Sequence, residues 1–235
     1  MNALLAQVQI QDRSGEGASC VADNGFCPGW IVDNFDRYVD PLLQHVFLTV
    51  VSLAIGFAIS FALALLAHRR RWLIGPITQA TGILYTLPSI AVFFLLLPLT
   101  GRGNLTAIVA LVAYTLLIVF RNVTAGLDNV PEETKDAGRG MGLTDRQLLW
   151  RVELPLALPE ILAGLRIAAT TTVGLATLAF FAGAGGLGAQ IFADITFKSN
   201  VVVAGGLAVL LAAVLDAAIL LAQRAATPWA RARAA

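Results

Sequence analysis

The segment DAGRGMGLTDRQLLWRVELP, residues 136–155, decides how this chain is read. It is polar, basic and helix-forming, yet it lies between hydrophobic runs long enough to cross a bilayer. Just upstream, Pro131 suits a first helical residue, and Glu132 and Glu133 then sit where the helix dipole favours negative charge. Gly138, Gly140 and Gly142 weaken that helix and predict a turn. Thr144 with Gln147 has the spacing of a capping box, to which Asp145 adds a favourable charge. Leu148, Leu149 and Val152 form an apolar stripe flanked by Arg146 and Arg151, and Pro155 is read as the end of the element. The stretch thus reads as helix, glycine turn, short helix, proline stop. An exposed stripe of this kind suits a groove on another protein; the alternative is a helix lying on the membrane surface.

Outward from this loop the chain is apolar. Of 235 residues, 57% are hydrophobic and only 13% charged, about half the charge of a soluble domain. Runs long enough to span occur at residues 46–67, 73–99, 105–120, 158–182 and 201–222, and a spanning helix needs roughly 20 apolar residues. Without the alternation of a closed barrel these spans must be helices, because lipid satisfies no backbone group. The expectation is an all-α membrane protein with five spans and the polar loop between spans three and four. It divides into a tail at 1–45, a transmembrane domain at 46–224 and a basic tail at 225–235.

Charge sets the orientation. With Arg69, Arg70 and Arg71 inside, eleven Lys and Arg residues fall on the cytoplasmic side, four outside and Arg166 within a span, of sixteen in all. The positive-inside rule therefore puts the N-terminus outside, and the C-terminus and the loop inside. The net charge of +1 gives no field that would attract nucleic acid.

Residues 1–29 read as a loosely ordered polar tail and not as a secretory signal, for want of a basic start and a long apolar core. Cys20 and Cys27 face an oxidising compartment in this orientation, so a bridge between them is permitted; free thiols are the alternative. Residues 30–44 carry Ile31, Phe35, Tyr38, Val39, Leu42 and Leu43 at helical spacing, which predicts an amphipathic helix before the first span. It either packs along the bundle or meets an external partner.

Three features lie at membrane depth. Pro88 interrupts the second span, and Tyr85, Thr86 and Ser89 bring hydroxyls to the break; this is either a bent helix lining a path or an ordinary kink. Arg166 and Asp216 each lie about eight residues, or ~12 Å, from the inner boundary. Intramembrane charges are costly alone, so the two are expected to pair, in a role either structural or substrate-binding. Gly183, Gly185, Gly186 and Gly188 follow the fourth span on the outer side and permit close backbone approach.

The motif spacing carries a resemblance. Asp136-Ala137-Gly138, three residues, Gly142, nine residues, Val152, one residue and Leu154-Pro155 resemble the EAA loop of permease subunits of binding-protein-dependent ABC importers. Asp136 and Gly138 depart mildly from that motif, which could loosen the loop. YTLPSIAVFFLLLP (85–98), the run 132–168 and GAGGLG (183–188) are similar to osmoprotectant permeases for glycine betaine, choline and carnitine. The resemblance implies a type I importer fold in a bacterial inner membrane. It implies a loop docked on ABC ATPase subunits, which hold ATP and Mg, a second permease subunit, and an extracytoplasmic binding protein near the glycine segment. A methionine-type amino-acid permease shares this plan, and a scaffold or receptor component is the alternative of another class.

Nothing points to catalysis in the chain. Neither Lys135 nor Lys198 lies in a Walker A sequence, and no metal-ligand spacing or nucleophile–base set appears. The aromatics Tyr85, Phe93, Phe94, Phe180 and Phe181 offer π faces for a quaternary ammonium group, although in spans such rings more often pack.

Overall fold

A computed structural model of the protein describes residues 18–228, and all the regular structure among them is helical. In chain order the helices are α1 (Ala18–Ala22), α2 (Pro28–Asp33), α3 (Val39–Arg69), α4 (Ile74–Thr86), α5 (Ser89–Thr100), α6 (Asn104–Asp128), α7 (Glu132–Gly140), α8 (Asp145–Leu148), α9 (Leu154–Ala176), α10 (Leu187–Ala193) and α11 (Lys198–Ala226).

Small residues set how closely the long helices pack. Ser52, Gly56, Ser60 and Ala64 recur every four residues on the buried face of α3, a pattern that lets backbones approach where lipid gives no hydrophobic drive to associate. At Gly56 a Cβ would overlap the Thr115 hydroxyl of α6, and at Gly164 of α9 it would overlap the Asn122 side chain of α6. α6 is therefore the central post, with α3 and α9 against it. Val119, Phe120, Val123 and Leu127 of α6 fill the core at the end that carries residues 131–153, and Ala107, Ala110 and Leu111 fill it at the far end.

Among the described residues, three helical stretches are long and apolar enough to cross a membrane: Phe35–Arg69, Asn104–Asp128 and Lys198–Ala226. α4 and α5 count as a fourth if taken together, but they meet at 97°. The expected kink at Pro88 is thus a right-angle break. The physical cause is that Pro88 offers no N–H and holds Leu87 in an extended conformation, with φ −63° and ψ 137°. α9 is not among the long apolar stretches; it carries Glu160, Arg166 and three successive threonines. α6 runs on to Asp128, so Arg121 belongs to a helix and the loop starts later than residue 121.

At the far end the expected helix over 30–44 is divided. α2 stops at Asp33, where the Asn34 side chain bonds the Trp30 carbonyl at 2.9 Å; a 3₁₀ turn follows, and residues 39–44 are already the first turns of α3. Cys20 and Cys27 form a disulfide. The segment they close is held on the start of α11: the Cys27 N–H donates to Ser199 Oγ at 2.7 Å, Tyr38 donates to Asn200 Oδ1 at 2.9 Å, and the Trp30 and Phe197 rings meet edge to face at 4.7 Å. Residues 1–17 of the tail, and 229–235 of the basic C-terminal tail with Arg231 and Arg233, lie outside the described residues.

Candidate functional site

The loop between α6 and α9 is a built surface. Pro131 occupies the N-cap of α7, one place earlier than the sequence suggests, and Glu132 and Glu133 follow in the first turn. Arg139 bonds Glu132 at 2.9 Å and Asp136 at 2.8 Å, and Lys135 lies 3.2 Å from Glu132. The Arg139 guanidinium, then the Lys135 ammonium, hold the Glu132 carboxyl below its ordinary range.

α7 ends in a Schellman turn. The Leu143 N–H reaches back to the Gly138 carbonyl at 3.2 Å and the Gly142 N–H to that of Arg139 at 2.9 Å, with Gly142 at φ +80°. Gly142 is thus needed for its dihedral. Gly138 packs against α8: a Cβ there would stand 2.6 Å from Leu148 Cδ1, the end of a side chain that would have to shift. The glycine in place of the motif's alanine thus lies where α8 meets α7. Thr144 and Gln147 close the capping box, Thr144 N–H to Gln147 Oε1 at 2.9 Å and Gln147 N–H to Thr144 Oγ1 at 3.4 Å.

Two readings of this loop are corrected. First, Leu148 and Leu149 are not an exposed stripe. They are 2% and 5% accessible, and Leu149 joins the core with Val123, Leu127 and Val130 while Val152 is half-buried. Their apolar surface anchors the loop to its own bundle, which was the nearer way to remove it from water. Outward on the loop are Asp136, Ala137, Arg139, Met141, Gly142, Thr144, Asp145, Arg146, Gln147, Trp150 and Arg151, among others. Second, Pro155 does not end the helix. The chain passes from α8 through a π-turn at Leu149–Glu153, with the Leu154 N–H bonded to the Leu149 carbonyl, straight into α9. A proline ring clashes with the carbonyl four residues back; the wider turn before Pro155 makes room for it.

The loop is tied to the bundle by pairs that the sequence did not disclose. His68 at the end of α3 lies 2.7 Å from Glu153 in the π-turn, Arg71 pairs with Asp128, and Asn129 donates to Glu160 at 2.8 Å. These pairs join the ends of α3, α6 and α9 to one another and to the π-turn that follows α8. A lone carboxylate in the apolar run 148–158 was the one available signal for Glu153. Between loop and bundle lies a polar cleft of about 670 Å³, lined by His68, Arg69, Arg71, Glu132, Arg139 and Arg146 among others.

The break between α4 and α5 leaves Tyr85, Thr86 and Pro88 exposed and Ser89 half-exposed. Thr86 bonds back to the Ile83 carbonyl at 2.8 Å, and the hydroxyl of Tyr114, from α6, donates to the Leu87 carbonyl at 2.7 Å. Tyr114 was missed because nothing local marks it. Replacing it with phenylalanine leaves that carbonyl without a partner, and detergent-solubilised protein is expected to lose about 1–3 kcal/mol of stability on denaturant titration. Unchanged stability means that the bond does not hold the break.

Arg166 and Asp216 face one another, Nε to Oδ1 and Nη2 to Oδ2 both at 2.7 Å. At the far end, Gly183, Gly185 and Gly186 all have φ near +80°, and a Cβ on Gly188 would overlap the Thr177 carbonyl. This glycine segment lies on the start of α3, where Gln44 bonds the Ala184 carbonyl at 2.9 Å. Of the candidate aromatics, Phe93 is fully buried and presents no face, while Phe94 packs on Phe181, and Phe180 and Phe181 pack on Phe192, at the far end. Among the described residues no cluster of three His, Cys, Asp or Glu is placed to hold a metal.

A helical bundle with apolar helices long enough to cross a membrane, a broken helix pair at its flank and a hydrophilic loop anchored at one end is the architecture of a helical membrane component. Residues 54–227 match the family described as binding-protein-dependent transport system inner membrane component, and the chain belongs to that family. It is 37% identical to the osmoprotectant import permease protein OsmW of Salmonella typhimurium, over 80% of this chain and 90% of that protein. It is 35% identical to the choline transport system permease protein OpuBB of Bacillus subtilis, over 79% and 86%. It is 33% identical to the glycine betaine/carnitine/choline permease protein OpuCB of the same organism, over 79% and 86%. Among solved structures, the MetNI methionine ABC transporter in an inward-facing form matches with a TM-score of 0.69 at 26% identity, over 81% of this chain and 94% of that one.

Proposed function

We propose that this chain is the permease subunit of an ATP-driven importer for a quaternary-ammonium osmoprotectant such as glycine betaine, choline or carnitine. The observation that carries the substrate class is the set of relatives at 31–37% identity whose names all specify osmoprotectant, choline, glycine betaine or carnitine. The methionine transporter, by contrast, is similar at 26%, a level at which fold outlasts substrate. A scaffold without a path is a poorer account of a chain in a family of transport components.

In this reading the chain spans the inner membrane five times, through α3, the broken α4–α5 pair, α6, α9 and α11, with the N-terminus outside. One chain forms half of the path, so a second permease, identical or homologous, completes it. Tyr85, Thr86, Pro88 and Ser89 line that path because a break exposes backbone and hydroxyls where an unbroken helix exposes neither. The outward residues of α7 and α8 dock on a separate ATPase that binds ATP and Mg, and the pairs at His68 and Arg71 transmit its movement. The glycine segment faces the extracytoplasmic binding protein.

The test is uptake of labelled glycine betaine by cells expressing the whole system, competed by choline, carnitine and methionine. Competition by choline or carnitine supports the proposal. Competition by methionine alone overturns the substrate, and purification of the chain without an ATPase overturns the coupling.

A further inference from the structure

We propose that the chain carries a site for an anionic phospholipid, its acyl chain lying between α3 and α9 and its headgroup on Arg146 and Arg151. The groove is about 410 Å³ and almost wholly apolar; Phe57 and Phe61 of α3 form one wall, and Leu154, Leu158 and Ile161 the other. The two phenylalanine rings stack at 5.6 Å, which keeps that wall flat. Trp150 closes the groove at the loop end and also lines a second, shallower hollow with Arg146, Gln147 and Arg151. One tryptophan therefore joins an apolar slot to a two-arginine mouth.

The register fits a membrane boundary. Trp150, Leu154, Leu158 and Ile161 recur at helical spacing along a single face, with Arg146 one turn before Trp150. Tryptophan prefers the headgroup level, and cations beside it attract anionic lipid. Arg146, Trp150 and Arg151 are exposed, so the headgroup can reach them. No carboxylate lines the slot or the mouth, among the described residues. Of the two carboxylates next to these residues in sequence, Glu153 is turned away to His68 at 2.7 Å, and Asp145 lines the polar cleft between loop and bundle. A second permease helix would satisfy the apolar slot but would bring no charge to the exposed Arg151 at its mouth; a lipid supplies both an acyl chain for the slot and a phosphate for the arginine. The site shares Arg146 with the surface assigned to ATPase docking and rests on that reading in placing residues 146–151 at a membrane surface; Arg151, Trp150 and the slot lie beyond α8 and stay open to lipid when Arg146 is engaged.

The experiment uses the purified transporter in nanodiscs of phosphatidylcholine, with and without phosphatidylglycerol, and counts retained lipid by native mass spectrometry. Arg151→Gln removes a headgroup contact without touching the core, and Leu158→Trp fills the slot. Wild type is expected to retain phosphatidylglycerol in preference to phosphatidylcholine. Retention should fall about fivefold in Arg151→Gln, the effect of one surface cation, and further in Leu158→Trp. Equal retention of the two lipids, or undiminished retention in both variants, overturns the site. Dissociation of the permease pair by Leu158→Trp with unchanged lipid assigns the slot to the subunit interface and also overturns it. Because lipid is counted whether or not an ATPase is bound, failure of the coupling reading is seen separately.

Discussion

Replacing Gly142 with valine is expected to lower uptake about five- to thirtyfold while leaving the chain inserted in the membrane. Gly142 sits at φ +80°, where a side chain finds no obstructing atom but the backbone itself disfavours an L-residue. That conformation costs roughly 1–2 kcal/mol for a residue with a Cβ, and more for a β-branched one. The turn escapes the strain by opening. The Leu143 and Gly142 hydrogen bonds are then lost, and Thr144, Asp145 and Arg146 leave the positions from which they face a partner. Only the fraction with a closed turn can dock, and apparent affinity falls by that fraction. Alanine should do less harm than valine, and asparagine less than either, because it tolerates left-handed backbone. The measurements are uptake, ATP hydrolysis and the amount of ATPase that copurifies. If valine leaves all three at the wild-type level, the turn is not part of the coupling surface.

The second large effect is expected at Asp216. Changing it to alanine strands the Arg166 guanidinium at membrane depth, with both of its 2.7 Å partners removed. The pair is only about one-third exposed, at 29% and 33% of its side-chain surfaces. An uncompensated charge there disfavours insertion. Most of the properly inserted protein should be lost, by protease protection and by yield of monodisperse protein in detergent. Arg166→Leu together with Asp216→Leu should recover insertion, because no charge then remains to be satisfied. Should the double variant be as poorly inserted as the single one, the two residues do not act as a unit. A double variant that inserts but fails to transport places the pair in the path; one that transports makes it a structural tie.

Much of the architecture was legible because its signals are local. Apolar length marks helices in lipid wherever it occurs, since each backbone group must find its partner within four residues along the chain. Turn chemistry at Gly142 and the capping box at Thr144 are likewise decided by a handful of neighbouring atoms. The loop's amphipathic pattern was legible too, but not its direction. Leu148 and Leu149 read as facing a partner or the membrane surface, whereas they face their own bundle, because periodicity carries no information about which apolar surface lies nearest.

What the sequence determined by itself was the class: an apolar helical chain, a polar loop with a characteristic spacing, and two membrane-depth charges too costly to stand alone. Only the tertiary structure decided which groups meet. It set His68 against Glu153 across 85 residues of chain, put Tyr114 beneath the broken second span, and ran the helix past Pro155 through a π-turn. The physical reason is range. Helix formation and capping are settled within a turn or two, whereas pairing and burial depend on how closely Gly56 and Gly164 let distant helices approach.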